Sequence, residues 1–372
     1  MKALLLFTYD AYLPIAKLLA KYLGELNYQS DIAHFYTGNN PCKKINCSEH
    51  EIKSLTIPDL NSKELLGHYD VIFIGAGGGA VRKTIAQIKK IKPKTFIITG
   101  FSGLCGHNSH EAFMSRRASD LILFNSSGDL KYYEDLNQLY YSAKANNGIV
   151  FGYPCTHTVN PASTAHHEIK TVCYADQNIV PEAENQRRHL AQKLIEYARH
   201  YPQRKLIVKM RNRKGSLTAH NDRFRLDEII LKQDIHLPNL SFEYDNIDNI
   251  IDSSDLVISV SSTCLIHALA QGKHVASLAD YGFPDIFSNR IFLDSGICTT
   301  FDKLIENKIP AVSPEWFTHN VPNKDAGKAE FLRIIAAKNI VPHNVKHDHL
   351  PYVRAKHPKK TIAQKLKAKL FK

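Results

Sequence analysis

DLVISVSSTCLIHALAQGKHVASL, residues 255–278, decides the fold. Asp255 to Val260 reads as an apolar strand after its leading Asp, as expected of a strand covered on both faces. It enters Ser261-Ser262-Thr263, where a helix carried by Leu265, Ala268 and Leu269 starts, and that helix stops near Gly272. His274 to Leu278 supplies the next strand. Strand, turn, helix and strand, with no alternation of apolar and polar residues, make the unit of a buried parallel sheet.

The unit repeats outward. Upstream, Lys170 to Tyr174 is a strand, Pro181 to Arg199 a long helix opened by proline and acids, and Lys205 to Lys209 (KLIVK) another strand. Near the start, Ala3 to Phe7 (ALLLF) precedes a turn and a helix with Leu13, Ala16, Leu19, Ala20 and Leu23 at helical spacing. Strands follow at Asp31–Tyr36, Asp70–Ile74, Thr95–Thr99, Asp120–Phe124 and Gly148–Phe151, with a helix from about Val81 to Ile91. The fold class is α/β: two doubly wound, Rossmann-like halves joined near residues 155–168, with a cleft between the carboxyl ends of their sheets. The expected domains are 1–160, 161–310, a helical or irregular extension at 311–349 and a basic tail at 350–372.

Composition narrows the class. The 372 residues are 44% apolar and 23% charged, with 18 Gly and 16 Pro, as in a folded protein of two domains. No apolar run reaches the ~18 residues of a membrane span, and MKALLLFTYDAY reads as a first strand rather than a signal peptide. The 48 basic and 36 acidic residues give a net charge of +12, of which Leu350–Lys372 contributes +8. With +4 elsewhere and no interleaving of basic and aromatic residues, a nucleic-acid partner is not expected. Seven scattered cysteines form no C-x-x-C pair, which points to free thiols in a reducing cytoplasm. The histidines lack the helical pairing with a nearby Glu that a zinc-protease site needs, so no metal is expected.

The turns at strand ends are where chemistry would sit. Ser261-Ser262-Thr263 reads either as helix capping or as an anion site for a phosphate or carboxylate. Gly75-Ala76-Gly77-Gly78-Gly79 follows a strand without a Walker lysine, and Gly100-Phe101-Ser102-Gly103 lacks the spacing of a hydrolase elbow. Lys209 and Arg211 leave KLIVK as cations able to meet phosphate, with Thr218 and His220 shortly after. Asp10 ends the first strand's turn, as a helix cap or as a base for an attacking hydroxyl. In the tail, Ile362, Leu366 and Leu370 recur four apart among lysines, either a solubilising end or a segment for an anionic leaflet.

Three stretches carry a resemblance: DQNIVPEAENQRRHLAQKLIEYARHYPQRKLIVKMR, DLVISVSSTCLIHALAQGKHVASLADYG and the later FLDSG. They resemble the donor half of bacterial GT-B glycosyltransferases, closest to a group linked to surface polysaccharides. That group shares an Asp after its first strand, as Asp10, a GxxG turn like Gly100–Gly103, and a Lys-x-Arg with Thr-His like Lys209, Arg211, Thr218 and His220. Thr218-Ala219-His220 has one residue more than the family's pair. Bacterial sialyltransferases of this fold pair a Ser-Ser motif with a His-Pro motif; here Ser261-Ser262 is kept and Met210-Arg211 stands where His-Pro would be.

The resemblance implies a metal-independent, inverting transferase without a cofactor, taking a nucleotide-sugar co-substrate to lipopolysaccharide or capsule. A CMP-activated sialic acid or Kdo is the leading donor and a UDP-hexose the other. Asp10 would be the base. Lys209, Arg211, His220, Ser261, Ser262 and Thr263 would hold the donor, and Gly77, Gly78, Gly79, Gly100, Ser102 and Gly103 would line the acceptor side. The tail would keep the enzyme, otherwise cytoplasmic, at the inner membrane. A sugar-nucleotide epimerase of the same fold, or a non-catalytic nucleotide- or polysaccharide-binding protein, are the alternatives.

Overall fold

Unbroken apolar strands build two parallel sheets. The computed structural model describes residues 1–36, 53–56, 59–105, 110–142, 146–154, 168–215, 223–244, 246–322 and 324–337. His220, Thr218 and the basic tail lie outside the described residues.

The first sheet has seven strands: β1 (Lys2–Phe7), β2 (Gln29–Tyr36), β3 (Lys53–Thr56), β4 (Val71–Gly75), β5 (Phe96–Gly100), β6 (Leu121–Phe124) and β7 (Gly148–Val150), ordered β3-β2-β1-β4-β5-β6-β7. The second has six: β8 (Thr171–Ala175), β9 (Lys205–Lys209), β10 (Leu240–Glu243), β11 (Leu256–Ser259), β12 (His274–Leu278) and β13 (Cys298–Thr299), ordered β10-β9-β8-β11-β12-β13. In each sheet the direction of winding reverses once, between β1 and β4 and between β8 and β11. Such reversals leave a crevice at the carboxyl ends, where ligands of open α/β sheets bind.

Helices cover both faces of each sheet, which is why the strands need no polar side. Leu5 and Phe7 of β1 pack on Ile15, Leu19 and Leu23 of α1 (Leu13–Glu25), while Leu4 and Leu6 face Val81, Ile85 and Ile88. The latter three belong to a helix over Gly78–Ile91. The second sheet repeats this division. Val172 and Tyr174 meet Leu190 and Leu194, and Cys173 and Ala175 share a core with Leu265 and Leu269. Each fully buried Leu or Ile contributes about 1.5–3 kcal/mol, so the stripes outweigh the helices' intrinsic propensities.

Between β3 and β7 run α2 (Lys63–Gly67), α3 (Gly78–Ile91), α4 (His110–Met114) and α5 (Ser127–Tyr141). In the second half come α6 (Glu184–His200), α7 (Leu226–Leu231), α8 (Ile247–Asp252), α9 (Cys264–Ala270) and α10 (Phe301–Ile305). The helix expected from Val81 starts three residues sooner, because Gly78 takes φ +45° and lets the chain turn straight off β4.

The stretch expected as an extension from 311 serves both halves. In α11 (Pro314–Asn320), Ser313 caps the helix, and Trp316 and Phe317 enter the core around α9. The next helix, α12 (Lys324–Ala337), returns to the first half, where Phe331 and Ile335 join the core under β1 and β7. There the Phe331 ring lies 5.7 Å from Phe151 and 6.3 Å from Tyr22, centroid to centroid. Among the described residues no helix is long and apolar enough to cross a membrane.

Candidate active site

Turns at the carboxyl ends of the two sheets face one another. Asp10 follows β1 and opens a single 3₁₀ turn, Asp10–Tyr12, ahead of α1. Its Oδ1 accepts from the Ala11 backbone N–H at 2.9 Å, so the carboxylate steadies its own turn and does not cap α1. Its Oδ2 is 3.5 Å from Nη2 of Arg211, which lies just past β9 in the other half. At 64% and 57% side-chain exposure the pair is worth no more than about 1 kcal/mol, a contact that an arriving anion can replace.

A second contact joins the halves where the two other turns meet. The Thr263 hydroxyl accepts from the Leu104 backbone N–H at 3.2 Å. A Cβ on Gly103 would stand 2.6 Å from the same Oγ1, so the turn after β5 approaches that close only with glycine there. Asn125, past β6, holds the turn from behind by donating to the Gly103 carbonyl at 2.7 Å. Gly100 ends β5, Ser102 is half-buried, and Gly77 to Gly79 form the cap and first residues of α3. No side chain caps α3 and no acid stands in its first turn.

The Ser261 turn is organised by a residue that the sequence reading passed over. Gln177, two residues beyond β8, spans the crevice between β8 and β11. Its Oε1 accepts from the Ser261 backbone N–H at 3.0 Å, and its Nε2 donates to the Ser261 hydroxyl at 3.3 Å. Ser261 is therefore turned inward, at 5% exposure. Ser262, half-buried, accepts from the Cys264 N–H at 3.3 Å and keeps its own proton to offer.

Beneath Gln177 the buried Asp176 accepts from both terminal nitrogens of Arg187, at 2.6 and 3.0 Å. Arg187 also donates to the Gln177 carbonyl at 3.0 Å and the Phe224 carbonyl at 2.8 Å. Two polar residues straight after a strand, Asp176-Gln177, were the available signal.

Lys209 differs from the expectation that it faces the cleft. It is 7% exposed and its ammonium donates to the Met210 carbonyl at 2.6 Å, so of the two cations Arg211 is the one open to a ligand. Burial pushes up the pKa of the nearby Cys173 and Cys264 thiols, that of Cys264 to about 12, which favours the protonated form. Among the described residues no three His, Cys, Asp or Glu side chains gather as metal ligands would.

Two facing Rossmann-like halves with a crevice at both carboxyl ends define a GT-B type protein. Solved structures agree. UDP-GlcNAc 2-epimerase from Methanocaldococcus jannaschii is 13% identical, with a TM-score of 0.59, over 90% of this chain and 99% of that one. Staphylococcus aureus MnaA with UDP is 10% identical, with a TM-score of 0.62, over 91% and 97%. The Neisseria meningitidis UDP-GlcNAc 2-epimerase bound to UDP-GlcNAc is 11% identical, with a TM-score of 0.59, over 90% and 100%. No curated protein sequence matches. Residues 36–337 match the family described as "Putative glycosyltransferase (DUF6716)". The chain belongs to that family.

Proposed function

We propose that this protein transfers a sugar from a nucleotide-sugar to an acceptor of a bacterial surface glycan such as lipopolysaccharide or capsule. The observation that carries the reading is the meeting of Asp10 and Arg211, a carboxylate from one half and a cation from the other, 3.5 Å apart at the crevice. Donor phosphate would draw Arg211 away from Asp10, and the hydroxyls of Ser262 and Thr263 would help to hold it. The acceptor hydroxyl then attacks the anomeric carbon, its proton passing to the Asp10 carboxylate. The bond from that carbon to the phosphate oxygen breaks, and the nucleotide leaves with the electron pair. Attack opposite the leaving group inverts the anomeric centre. Arg211 offsets the charge that grows on the nucleotide, a stabilisation that preorganised cations supply. Ser261 and Lys209 act from behind, by shaping the turns.

The basic, amphipathic end of the chain, Leu350–Lys372, supports work at an anionic leaflet, the cytoplasmic face of the inner membrane, where lipid-linked acceptors are reached. Vesicles with and without anionic lipid check this: binding to the anionic set alone, lost in high salt, is the expected result.

Thermal shift against CMP, CDP, UDP, GDP and ADP, with and without EDTA, tests the donor site. A ligand at 100 times its Kd adds about 2.7 kcal/mol of stability. A CMP-selective shift that survives EDTA supports a metal-independent enzyme using a CMP-activated acid sugar; a UDP-selective one moves the donor to a hexose. No shift at millimolar nucleotide removes the donor site. Interconversion of a UDP-sugar without acceptor would instead make the protein an epimerase.

A further inference from the structure

Arg116 is a buried cation of an unusual kind. It lies between α4 and β6 at 1% exposure, and among the described residues no carboxylate pairs with it. Burying an unpaired charge costs several kcal/mol unless its donors are satisfied, and here they are spent on the turns of the first half. Nε donates to the Gly100 carbonyl at 3.0 Å, and Nη2 to the Ala76 carbonyl at 2.8 Å and to the Tyr12 hydroxyl at 3.2 Å. Nη1 donates to the Ala112 carbonyl, and the guanidinium lies 4.1 Å over the Phe101 ring.

Tyr12 closes the arrangement. It is the buried residue of the Asp10–Tyr12 turn, while Asp10 and Ala11 are exposed. Its hydroxyl donates to the Ala76 carbonyl at 3.0 Å, and a Cβ on Gly75 would come within 2.9 Å of the Tyr12 Cβ. One guanidinium thus ties together the ends of β4 and β5 and the turn that carries Asp10. A planar fork reaches four separate acceptors at fixed angles; an ammonium is a point charge and does not.

We propose that Arg116, through Tyr12, is a positioning residue that holds Asp10 at the crevice, an inference that rests on the reading of Asp10 as the base. The groups that Arg116 touches all belong to the first half, so its effect is expected on turnover more than on donor binding.

Tyr12→Phe, which deletes the hydroxyl and keeps the ring's packing, and Arg116→Lys, which keeps the charge and loses the fork, test it in the full chain. Sugar transfer, donor affinity by nucleotide thermal shift, and backbone hydrogen exchange over residues 9–13 are measured together. Both variants are expected to lose about ten- to a hundredfold in kcat, the scale of a small misplacement of a catalytic group, with donor KM within about twofold and faster exchange at the turn. Full kcat in Arg116→Lys, an equal loss of donor affinity, or unchanged exchange in Tyr12→Phe would each overturn it. If the wild-type chain transfers no sugar, the proposed activity fails on its own, and the exchange measurement still decides whether Arg116 and Tyr12 order the turn.

Discussion

At the scale of single residues, burial separates Asp10 and Arg211, proposed to meet substrate, from the groups that hold their turns. Asp10 and Arg211 are exposed, and Asp10→Asn removes a proton acceptor without emptying a core. It is expected to lower kcat by about 10²- to 10⁴-fold while the melting temperature stays within error, measured on one preparation. His34 shows the opposite case. It is 4% exposed, its Nε2 stands 3.3 Å from the Thr8 carbonyl, and burial lowers its pKa from 6.5 against the pull of that carbonyl. A folded-state value below the unfolded one means that stability is full above about pH 6.5 and is lost as pH falls through the folded value. Denaturant midpoints at neutral pH and near pH 5 should fall more in the wild type than in His34→Gln. Lys209 and Arg211 look alike in sequence. Strand periodicity gives the face a residue takes but not whether that face is covered at the strand's end, so their opposite burial was not legible.

At the scale of elements, the short unbroken apolar runs bounded by turn residues were enough to place the parallel strands, because strands covered on both faces need no polar side. KLIVK over Lys205–Lys209 and His274–Leu278 match the strands residue for residue. Helix starts were harder. Gly78 and Gly79 read as a loop because glycine disfavours helices, yet the positive φ of Gly78 is what allows α3 to begin there. The role of Gln177 was hidden for another reason: its place after a strand could be read, but its hydrogen bonds go to Ser261, 84 positions away.

The α12 helix makes a sharper claim. A Cβ on Gly327 would lie 2.4 Å from the Phe151 carbonyl oxygen and 2.8 Å from its carbonyl carbon, both backbone atoms. In a free helix Gly→Ala gains about 1 kcal/mol. Here the sign should reverse, because overpacking against rigid backbone costs about 1–3 kcal/mol. Gly327→Ala is therefore expected to lower the melting temperature, and a rise would show that α12 does not sit on β7.

At the scale of the molecule, the two halves read alike in sequence but close differently. The second half keeps a buried Asp176–Arg187 pair under its crevice. The first finishes its core with Phe331 and Ile335 from beyond the second sheet. Residues 1–160 alone should therefore bind a hydrophobic dye and aggregate, and a peptide of residues 324–337 should reduce both. A well-folded, dye-silent fragment would contradict this.

That borrowed helix also sets an order of events. A growing chain releases β1 to β7 first, with Tyr22 and Phe151 uncovered, and all six strands of the second sheet are made before α12 can reach them. The half that carries Asp10 is the first to be synthesised and the last to be finished, so the crevice takes its shape only after α12 has emerged, and a chain ended before that helix leaves no finished front half behind.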